Sequence, residues 1–339
     1  MFPAQTLSLL AAASIAFAFL CYVLLDGTDL GVGMLITCPA QDRDRQTLAY
    51  SILPLWDGNE TWLVLGGGAL LAMFPEAYAG FLSGLYVPLF VMLLALVLRG
   101  FALEFRDHFD TPRRRIADRL LCGASLVAAA SQGVCLGTLI QGLSPLPAGG
   151  ELWRWCAVFP LCCGLAMVCV DLWLGSCWLI WRTEGATRTL GWRLARRFAL
   201  AAIVLSAVAL LWMLVDDTPA HWPAAWALSA SSMACLLVVT AVSVLFFRLR
   251  RSVADWLPLF VTLAWVTSGF LLGSSLFVEA MTEPGSRFHQ MAISPFSQGF
   301  VLLGFALLAP LTLAYSTYSF WTFRGKVRSA AEDRTSPGA

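Results

Sequence analysis

Charged residues are scarce in this sequence. Only 13% of the 339 residues are Asp, Glu, Lys or Arg, whereas 59% are apolar, and the mean hydropathy is +0.74. A soluble domain has about 25% charged and about 45–50% apolar residues. One water-soluble core could not bury this excess, because a folded chain must cover its outer surface with polar groups. The composition therefore predicts a polytopic membrane protein and excludes a disordered chain, a collagen and a coiled coil.

The motifs of several common functional sites are also missing. No C-x-x-C occurs among the ten cysteines, so a zinc knuckle, a thioredoxin motif and a c-type haem attachment are not indicated. We find no phosphate loop, dinucleotide-binding fingerprint or nucleophile elbow. The three histidines, His108, His221 and His289, are all predicted in loops. A haem held by two histidines from membrane spans is therefore not predicted in this chain, and neither is another metal site.

Nine apolar runs are candidates for crossing the bilayer, which takes about 20 helical residues. They lie at about 7–27, 53–73, 78–98, 118–140, 156–181, 198–215, 224–247, 256–278 and 296–320. None shows the alternation of an outer-membrane barrel strand, so we predict α-helices, which satisfy their own backbone groups in lipid. The first run has no basic region before it and is expected to be a retained span rather than a cleaved signal peptide.

Basic residues fall almost entirely on one side of these runs. If the loops alternate between the two sides, 20 of the 22 Lys and Arg residues share one side, and only Arg154 and Arg287 lie on the other. The positive-inside bias then places the N-terminus outside and the C-terminus in the cytoplasm. No loop is long enough for a folded extramembrane domain, and residues 331–339 are predicted to be a disordered tail.

Carboxylates occur where a membrane helix should have none. Asp26 and Asp29 share one helix face at the cytoplasmic end of the first run. Asp57 and Glu60 precede a run that is too short to span alone, because the 12 residues 62–73 make about 18 Å of helix. The second span must therefore begin before Asp57, which draws both acidic groups into the inner leaflet.

Residues 99–106, which contain Arg99 and Glu104, form a third polar segment after those around Asp26 and Asp57. All three places map to the cytoplasmic side, and two interpretations stay open. The groups form a proton-conducting or ion-paired network, or they form a plain charge cluster at the headgroup level. For Arg106 and residues 113–115, anchoring by the positive-inside effect is favoured. Asp171 lies well inside the fifth run, where a functional role and a packing role are equally open.

Small residues recur four positions apart in the apolar runs. Such pairs allow two helices to cross closely, and the sequence therefore predicts close crossings at these places. The pairs are Gly27/Gly31, Gly80/Gly84, Gly133/Gly137 and Gly269/Gly273.

Four motifs carry a resemblance to a known family. They are D-G-T-D-L-G-V-G-M at 26–34, W-D-G-N-E-T-W-L at 56–63, F-P-x-x-Y-A at 74–79, and Arg99 followed by Phe105-Arg106. In order and spacing they resemble subunit II of the cytochrome bd-type quinol oxidases, and weaker likeness extends over the rest of the chain. One departure is Thr28, where the family often has Phe.

The resemblance implies an all-α membrane subunit, residues 1–339, with nine spans. These form a first four-helix bundle at 1–140, a second at 150–278, and a peripheral ninth helix at 294–322. The family's subunit I carries haems b558, b595 and d, oxidises quinol and reduces O2 to water, so no catalytic residue is expected in this chain. Chemical protons come from the cytoplasm, and charge is separated without pumping.

The resemblance also implies roles for individual residues. Asp57 would carry a cytoplasmic proton pathway, supported by Asp26, Asp29, Glu104 and Arg99. The remaining residues of the supporting motif are Trp56, Gly58, Asn59, Glu60 and Trp62. Expected partners are subunit I, a small single-span accessory subunit, lipid and a structural ubiquinone, but no nucleic acid, in a bacterial inner membrane.

Two other functions remain open at this point. In an ion-coupled secondary transporter, the inner-leaflet acidic groups would bind the coupling ion, although transporter sites usually lie near the bilayer midplane. The chain could also be a purely structural partner with no role in proton transfer.

Overall fold

The chain folds into α-helices. The computed structural model describes residues 4–141, 153–215, 226–249, 254–282 and 292–327. The helices are α1 (Ala4–Leu35), α2 (Asp42–Ile52), α3 (Trp56–Met73), α4 (Pro75–Gly84), α5 (Tyr86–Glu104), α6 (Thr111–Ile140), α7 (Val158–Arg182), α8 (Gly185–Val215), α9 (Trp226–Leu249), α10 (Leu257–Thr282) and α11 (Pro295–Thr322). The all-α prediction is confirmed. The tail at 331–339, His221 and His289 lie outside the described residues.

Seven of the described helices are long and apolar enough to cross a membrane. They are α1, α5, α6, α7, α8, α10 and α11. Of the remaining predicted spans, α3 is 18 residues long and carries Asp57 and Glu60, and the apolar stretch of α9 covers only 232–247. The multi-span prediction is therefore confirmed, while the count of nine stays a prediction.

Several helix boundaries differ from the predicted ones. The first helix continues to Leu35, so Asp26 and Asp29 lie within it rather than at its end. The third predicted span, 78–98, is divided: Pro75 starts the short helix α4, and α5 then runs from Tyr86 to Glu104. Proline favours the first turn of a helix, because its missing N–H has no partner there in any case. Arg99 is consequently inside α5, one turn before its end.

Helix α7 lies at the centre of the molecule. It packs against α1, α6, α8 and α10. Of its apolar 18-residue stretch, 67% is buried inside the protein, whereas only 17% of the corresponding stretches of α8 and α11 is buried. Its Trp173 and Leu174 are fully buried in the largest apolar cluster of the described residues. Helices α1, α6, α8 and α10 are therefore held in place by their packing on α7.

Glycines make two of these contacts unusually close. A Cβ atom on Gly31 of α1 would lie 1.9 Å from the backbone oxygen of Asp171, and one on Gly133 of α6 would lie 2.3 Å from that of Cys163. Only a residue without a side chain permits such an approach. Gly269 and Gly273, in contrast, have nothing within 4 Å among the described residues. Gly80, of the Gly80/Gly84 pair, also has nothing within 4 Å among the described residues. The glycine pattern thus predicted two close crossings of α7, but none is found at Gly80 or at Gly269 and Gly273.

Arg106, near α2, was predicted to anchor the chain at the lipid headgroups, and this prediction was wrong. Arg106 is only 1% exposed, and its Nε donates to Asp118 Oδ1 at 2.7 Å. Arg45 of α2 lies 3.5 Å from the same carboxylate. Arg106 therefore joins helices rather than anchoring the chain at the headgroups, whereas Arg113 is largely exposed, as an anchoring residue would be. Helix α2 itself was not predicted, because its charges resemble those of a loop.

A further ion-paired contact secures the C-terminal segment. The guanidinium of Arg188, on α8, donates to Asp255 Oδ1 at 2.6 and 3.1 Å, and Lys326 pairs with the other oxygen. The Val327 amide donates to the carbonyl of Arg182 at 2.8 Å. Partial burial acts to raise the pKa of Asp255, but the bonds from Arg188 and Lys326 outweigh it and lower the pKa below the ordinary value.

Replacing Gly31 with Ala should destabilise the protein, because the added methyl group would collide with the α7 backbone. We expect a loss of about 1–3 kcal/mol or more, as for an overpacked core. Unfolding of the detergent-solubilised protein, followed by tryptophan fluorescence, measures it. Gly67→Ala is the matched control, since a Cβ there meets nothing within 4 Å. Equal stability of the two variants would contradict the close crossing.

Asp255→Asn should destabilise the protein near neutral pH by about 0.2–1 kcal/mol, as for a partly exposed ion pair. The lowered pKa means that the contribution is complete above the ordinary carboxyl pKa, about 3.9, and is lost as the pH falls through that region. The stabilities of wild type and variant, measured by thermal unfolding, should therefore begin to converge as the pH falls below about 4. A constant difference at every pH would show that ionisation of Asp255 contributes nothing. Asp110→Asn, at a more exposed pair, serves as the control.

Candidate functional site

A cluster of buried charges lies between α1, α3 and α5. Asp26 and Asp29 of α1 are 0% and 1% exposed, and Arg99 of α5 is 1% exposed. Arg99 Nη1 lies 2.7 Å from Asp26 Oδ1, and Arg99 Nη2 pairs with Glu60 on α3. One guanidinium thus connects carboxylates from two different helices. We call Asp26, Asp29, Asn59, Glu60 and Arg99 the Arg99 cluster.

Asp29 is held by a neutral partner rather than by a cation. Asn59 Nδ2 donates to Asp29 Oδ2 at 2.7 Å, and both side chains are buried. Asn59 and Glu60 are neighbours in the W-D-G-N-E motif. Because the motif starts a helix at Trp56, its successive side chains reach Asp29 and Arg99 from the same turn.

The charges of the cluster do not balance. Two buried carboxyl groups, those of Asp26 and Asp29, and the partly exposed carboxyl group of Glu60 share one guanidinium. Removing an unpaired carboxylate from water costs several kcal/mol even after the surroundings relax. The cluster can lower this cost by keeping protons on the carboxyl groups that Arg99 does not neutralise. It is therefore suited to binding and releasing protons.

Polar side chains continue the cluster toward α6. Gln132 Nε2 donates to the hydroxyl of Tyr22 at 2.6 Å, and Tyr22 lies one turn before Asp26 on α1. Both side chains are buried. A chain of polar groups therefore extends from α3 across α1 to α6 within the apolar interior.

A narrow cleft between α3 and α11 approaches the cluster from another side. Its walls include Gly58 and Asn59 of α3 and Ser316 and Ser319 of α11, and it has room for about one water molecule. The buried hydroxyl of Ser316 has no hydrogen-bond partner among the described residues. Asn59 thus contacts Asp29 on one side and, on the other, a cleft lined by both polar and apolar side chains.

The chain also has a clear family likeness. The family model described as cytochrome bd terminal oxidase subunit II matches residues 7–323. The chain belongs to this family. It is thereby subunit II of a cytochrome bd quinol oxidase, a respiratory oxidoreductase of the bacterial inner membrane, and the transporter alternative has no support.

Individual relatives agree with this assignment. Cytochrome bd-I ubiquinol oxidase subunit 2 of Escherichia coli is 27% identical over 350 residues, covering 90% of this chain and 91% of that protein. Cytochrome bd ubiquinol oxidase subunit 2 of Bacillus subtilis is 39% identical over 131 residues, 38% of this chain and 39% of that protein. The bd oxidase structure from Geobacillus thermodenitrificans superposes with a TM-score of 0.71 at 18% identity, over 93% and 98% of the two chains, and shows the same fold.

The motif residues of subunit II fall into two groups. Asp26, Asp29 and Arg99 form the core of the Arg99 cluster, together with Asn59 and Glu60. Asp57 and Glu104, in contrast, are exposed on the surface of this chain. Asp57 lies one turn before Glu60, and Glu104 ends α5, so both border the cluster rather than belong to it.

The other residues of the motif shape the surroundings of the cluster. Trp56 lies against Gly100, the residue after Arg99, where an added Cβ would come within 2.9 Å of the indole. Gly58 allows Tyr315 of α11 to approach in the same way, at 3.0 Å. Trp62 is fully buried, with its ring edge to face with Phe17 at 5.8 Å. These residues position α3 against its neighbours.

Sequence reasoning identified Asp171 as unusual but gave it no place in the cluster. The structure places its fully buried carboxyl group against α1 beside Gly27. Its depth within an apolar run was the only available signal.

No group of three or more potential metal ligands occurs among the described residues, and His108 lies in a short 3-10 helix.

Asn59→Ala should weaken the cluster, because the buried Asp29 carboxyl would lose its donor. We expect the free energy of unfolding to fall by about 1–3 kcal/mol. Denaturant titration of the purified, detergent-solubilised complex measures this change. Thr61→Ala is the control on the same helix, since Thr61 is exposed and its hydroxyl donates to the carbonyl of Asp57 in its own helix. If the two variants were equally stable, the bond from Asn59 to Asp29 would be unimportant.

Proposed function

We propose that this chain is the haem-free member of a heterodimer whose other member, subunit I, carries haems b558, b595 and d. In this complex, subunit I oxidises quinol and reduces O2 to water. The family match over residues 7–323 supports the proposal, as do the ubiquinol oxidase subunits among the relatives. A structural ubiquinone, lipid and a small single-span accessory subunit stay predictions of the resemblance.

The proposed architecture has nine spans, the seven apolar helices together with α3 and α9. Residues 1–140 would form one four-helix bundle, residues 150–278 a second, and residues 294–322 a peripheral helix. The packing of α11 on α1 and α3, after the second bundle in the chain, supports the peripheral assignment. The bias of basic residues supports an external N-terminus and a cytoplasmic C-terminus.

Within the oxidase, we propose that this chain supplies a proton pathway from the cytoplasm. The observation that carries the proposal is the excess of buried carboxyl groups over guanidinium in the Arg99 cluster. Carboxyl groups that Arg99 does not neutralise can hold a proton and pass it on. A plain structural cluster would need only as many carboxylates as cations.

Each residue of the pathway has a separate part in this proposal. Asp57, exposed one turn before Glu60, receives protons from the cytoplasmic side, and Glu104 lies on the same side at the end of α5. Asp26 and Asp29 hold protons in the interior. Arg99 stays charged and keeps the carboxyl groups together. The haems of subunit I supply the oxygen chemistry that consumes these protons.

Asp57→Asn should slow O2 consumption while leaving the haem spectrum of the purified complex unchanged. An amide occupies nearly the same volume but cannot exchange a proton in this way, and a positioned proton-transfer group contributes about 10²-fold or more. Oxygen-electrode turnover with excess quinol measures the effect. Glu76→Gln, an exposed acid at the start of α4, is the control and should keep the wild-type rate.

Two outcomes would contradict the pathway. Wild-type turnover of Asp57→Asn would remove Asp57 from it. Wild-type turnover of both Asp57→Asn and Asp29→Asn, with intact haem spectra, would leave this chain a purely structural partner of subunit I.

A further inference from the structure

Asp171 is a buried acid that the proposed pathway does not yet use. It lies in the middle of α7, its exposed fraction is 0%, and neither carboxyl oxygen has a hydrogen-bond partner among the described residues. A buried polar group without a partner is costly and calls for an explanation. Its position in the centre of the molecule excludes contact with bulk water.

The packing of α1 against α7 brings this carboxyl group to the Arg99 cluster. A Cβ atom on Gly27 would lie 2.8 Å from Asp171 Oδ1, so the glycine leaves space that the carboxyl group occupies. Gly31 and Gly175 bring the two backbones together one turn further along. Gly27 directly follows Asp26, and the Asp171 carboxyl group therefore lies against the segment of α1 that carries the carboxylate bound by Arg99.

Few charged groups face Asp171. Asp26 of α1 and Arg99 of α5 are the ones among the described residues whose charges act on it, and Tyr22 of α1 is a nearby titratable hydroxyl. Arg99 is already paired with Asp26 and Glu60. An ionised Asp171 would therefore add a further negative charge with no cation of its own, at a cost of several kcal/mol. A neutral carboxylic acid avoids that cost.

We propose that Asp171 carries a proton as a neutral acid and exchanges it with Asp26, which makes it the innermost proton-holding site of this subunit. In the exchange, the O–H bond of Asp171 breaks and a new O–H bond forms on the Asp26 carboxylate. The total charge of the two groups is unchanged. The proton is replaced from the cytoplasm through the Arg99 cluster, so this part of the inference rests on the proposed function.

Infrared difference spectroscopy of the purified two-subunit oxidase tests the protonation state directly. In a comparison of H2O and D2O, wild type should show protonated-carboxyl C=O bands that shift with deuteration, and Asp171→Asn should lose the band that belongs to Asp171. Turnover of the same variant should fall by roughly 10²-fold with an intact haem spectrum. A band that persists unchanged in Asp171→Asn would overturn the assignment, and so would wild-type turnover of the variant.

A second pair of variants covers the case in which Asp171→Asn does not assemble. Gly27→Ala keeps Asp171, but the added methyl group crowds the Asp171 Oδ1 atom, so the C=O band of Asp171 should shift in frequency. Gly67→Ala should leave that band at its wild-type frequency. An unshifted band in Gly27→Ala would also contradict the assignment. Failure of the pathway itself is recognised separately, because Asp57→Asn would then keep its turnover whatever the infrared band of Asp171 shows.

Discussion

The packing of α1, α3 and α5 against one another depends on the buried guanidinium of Arg99. Arg99 pairs with Asp26 from one helix and Glu60 from another, while Asp29 and Asp171 lie close by without a cation of their own. In a medium of low dielectric constant, such an excess of acid is tolerated only if some carboxyl groups remain protonated. The cluster thus has a structural role, joining α1, α3 and α5, and a chemical one, holding exchangeable protons. Both follow from the same imbalance of charge.

The close crossing of α1 and α7 determines how near the Asp171 carboxyl group lies to the Arg99 cluster. Gly31 and Gly175 allow the backbones to touch, and Gly27 leaves room for the Asp171 carboxyl group. Larger residues would separate the helices and isolate that acid from the Arg99 cluster. The glycines at this crossing therefore determine more than packing density, because they set the distance between charged groups that belong to different helices. This is also why α7, which has no motif recognisable in the sequence, is central to the proposed proton chemistry.

Much of the fold could be predicted from composition, since only helices satisfy their backbone groups in lipid. The motifs pointed to Asp26, Asp29 and Arg99, because acidic and basic groups in apolar runs are rarely tolerated without a function, and the structure brings these three residues together. Their pairing could not be predicted, because it depends on how each helix is rotated and how closely it packs. For the same reason Arg106 was misassigned: a sequence does not show that a basic residue turns inward to a carboxylate on another helix. The break at Leu85, between α4 and α5, was not predicted, because the apolar run continues through it.

The coupling between Asp26 and Arg99 is the most direct test of this account. It is measured by a double-mutant cycle in which the free energies of unfolding of wild type, Asp26→Asn, Arg99→Met and the double variant are compared in the intact complex. If Arg99 is needed because it neutralises Asp26, the double variant should be more stable than the sum of the single changes implies. A coupling energy of about 1–3 kcal/mol is expected for groups in one buried network. Additive effects, with no coupling, would contradict the central role of this ion pair.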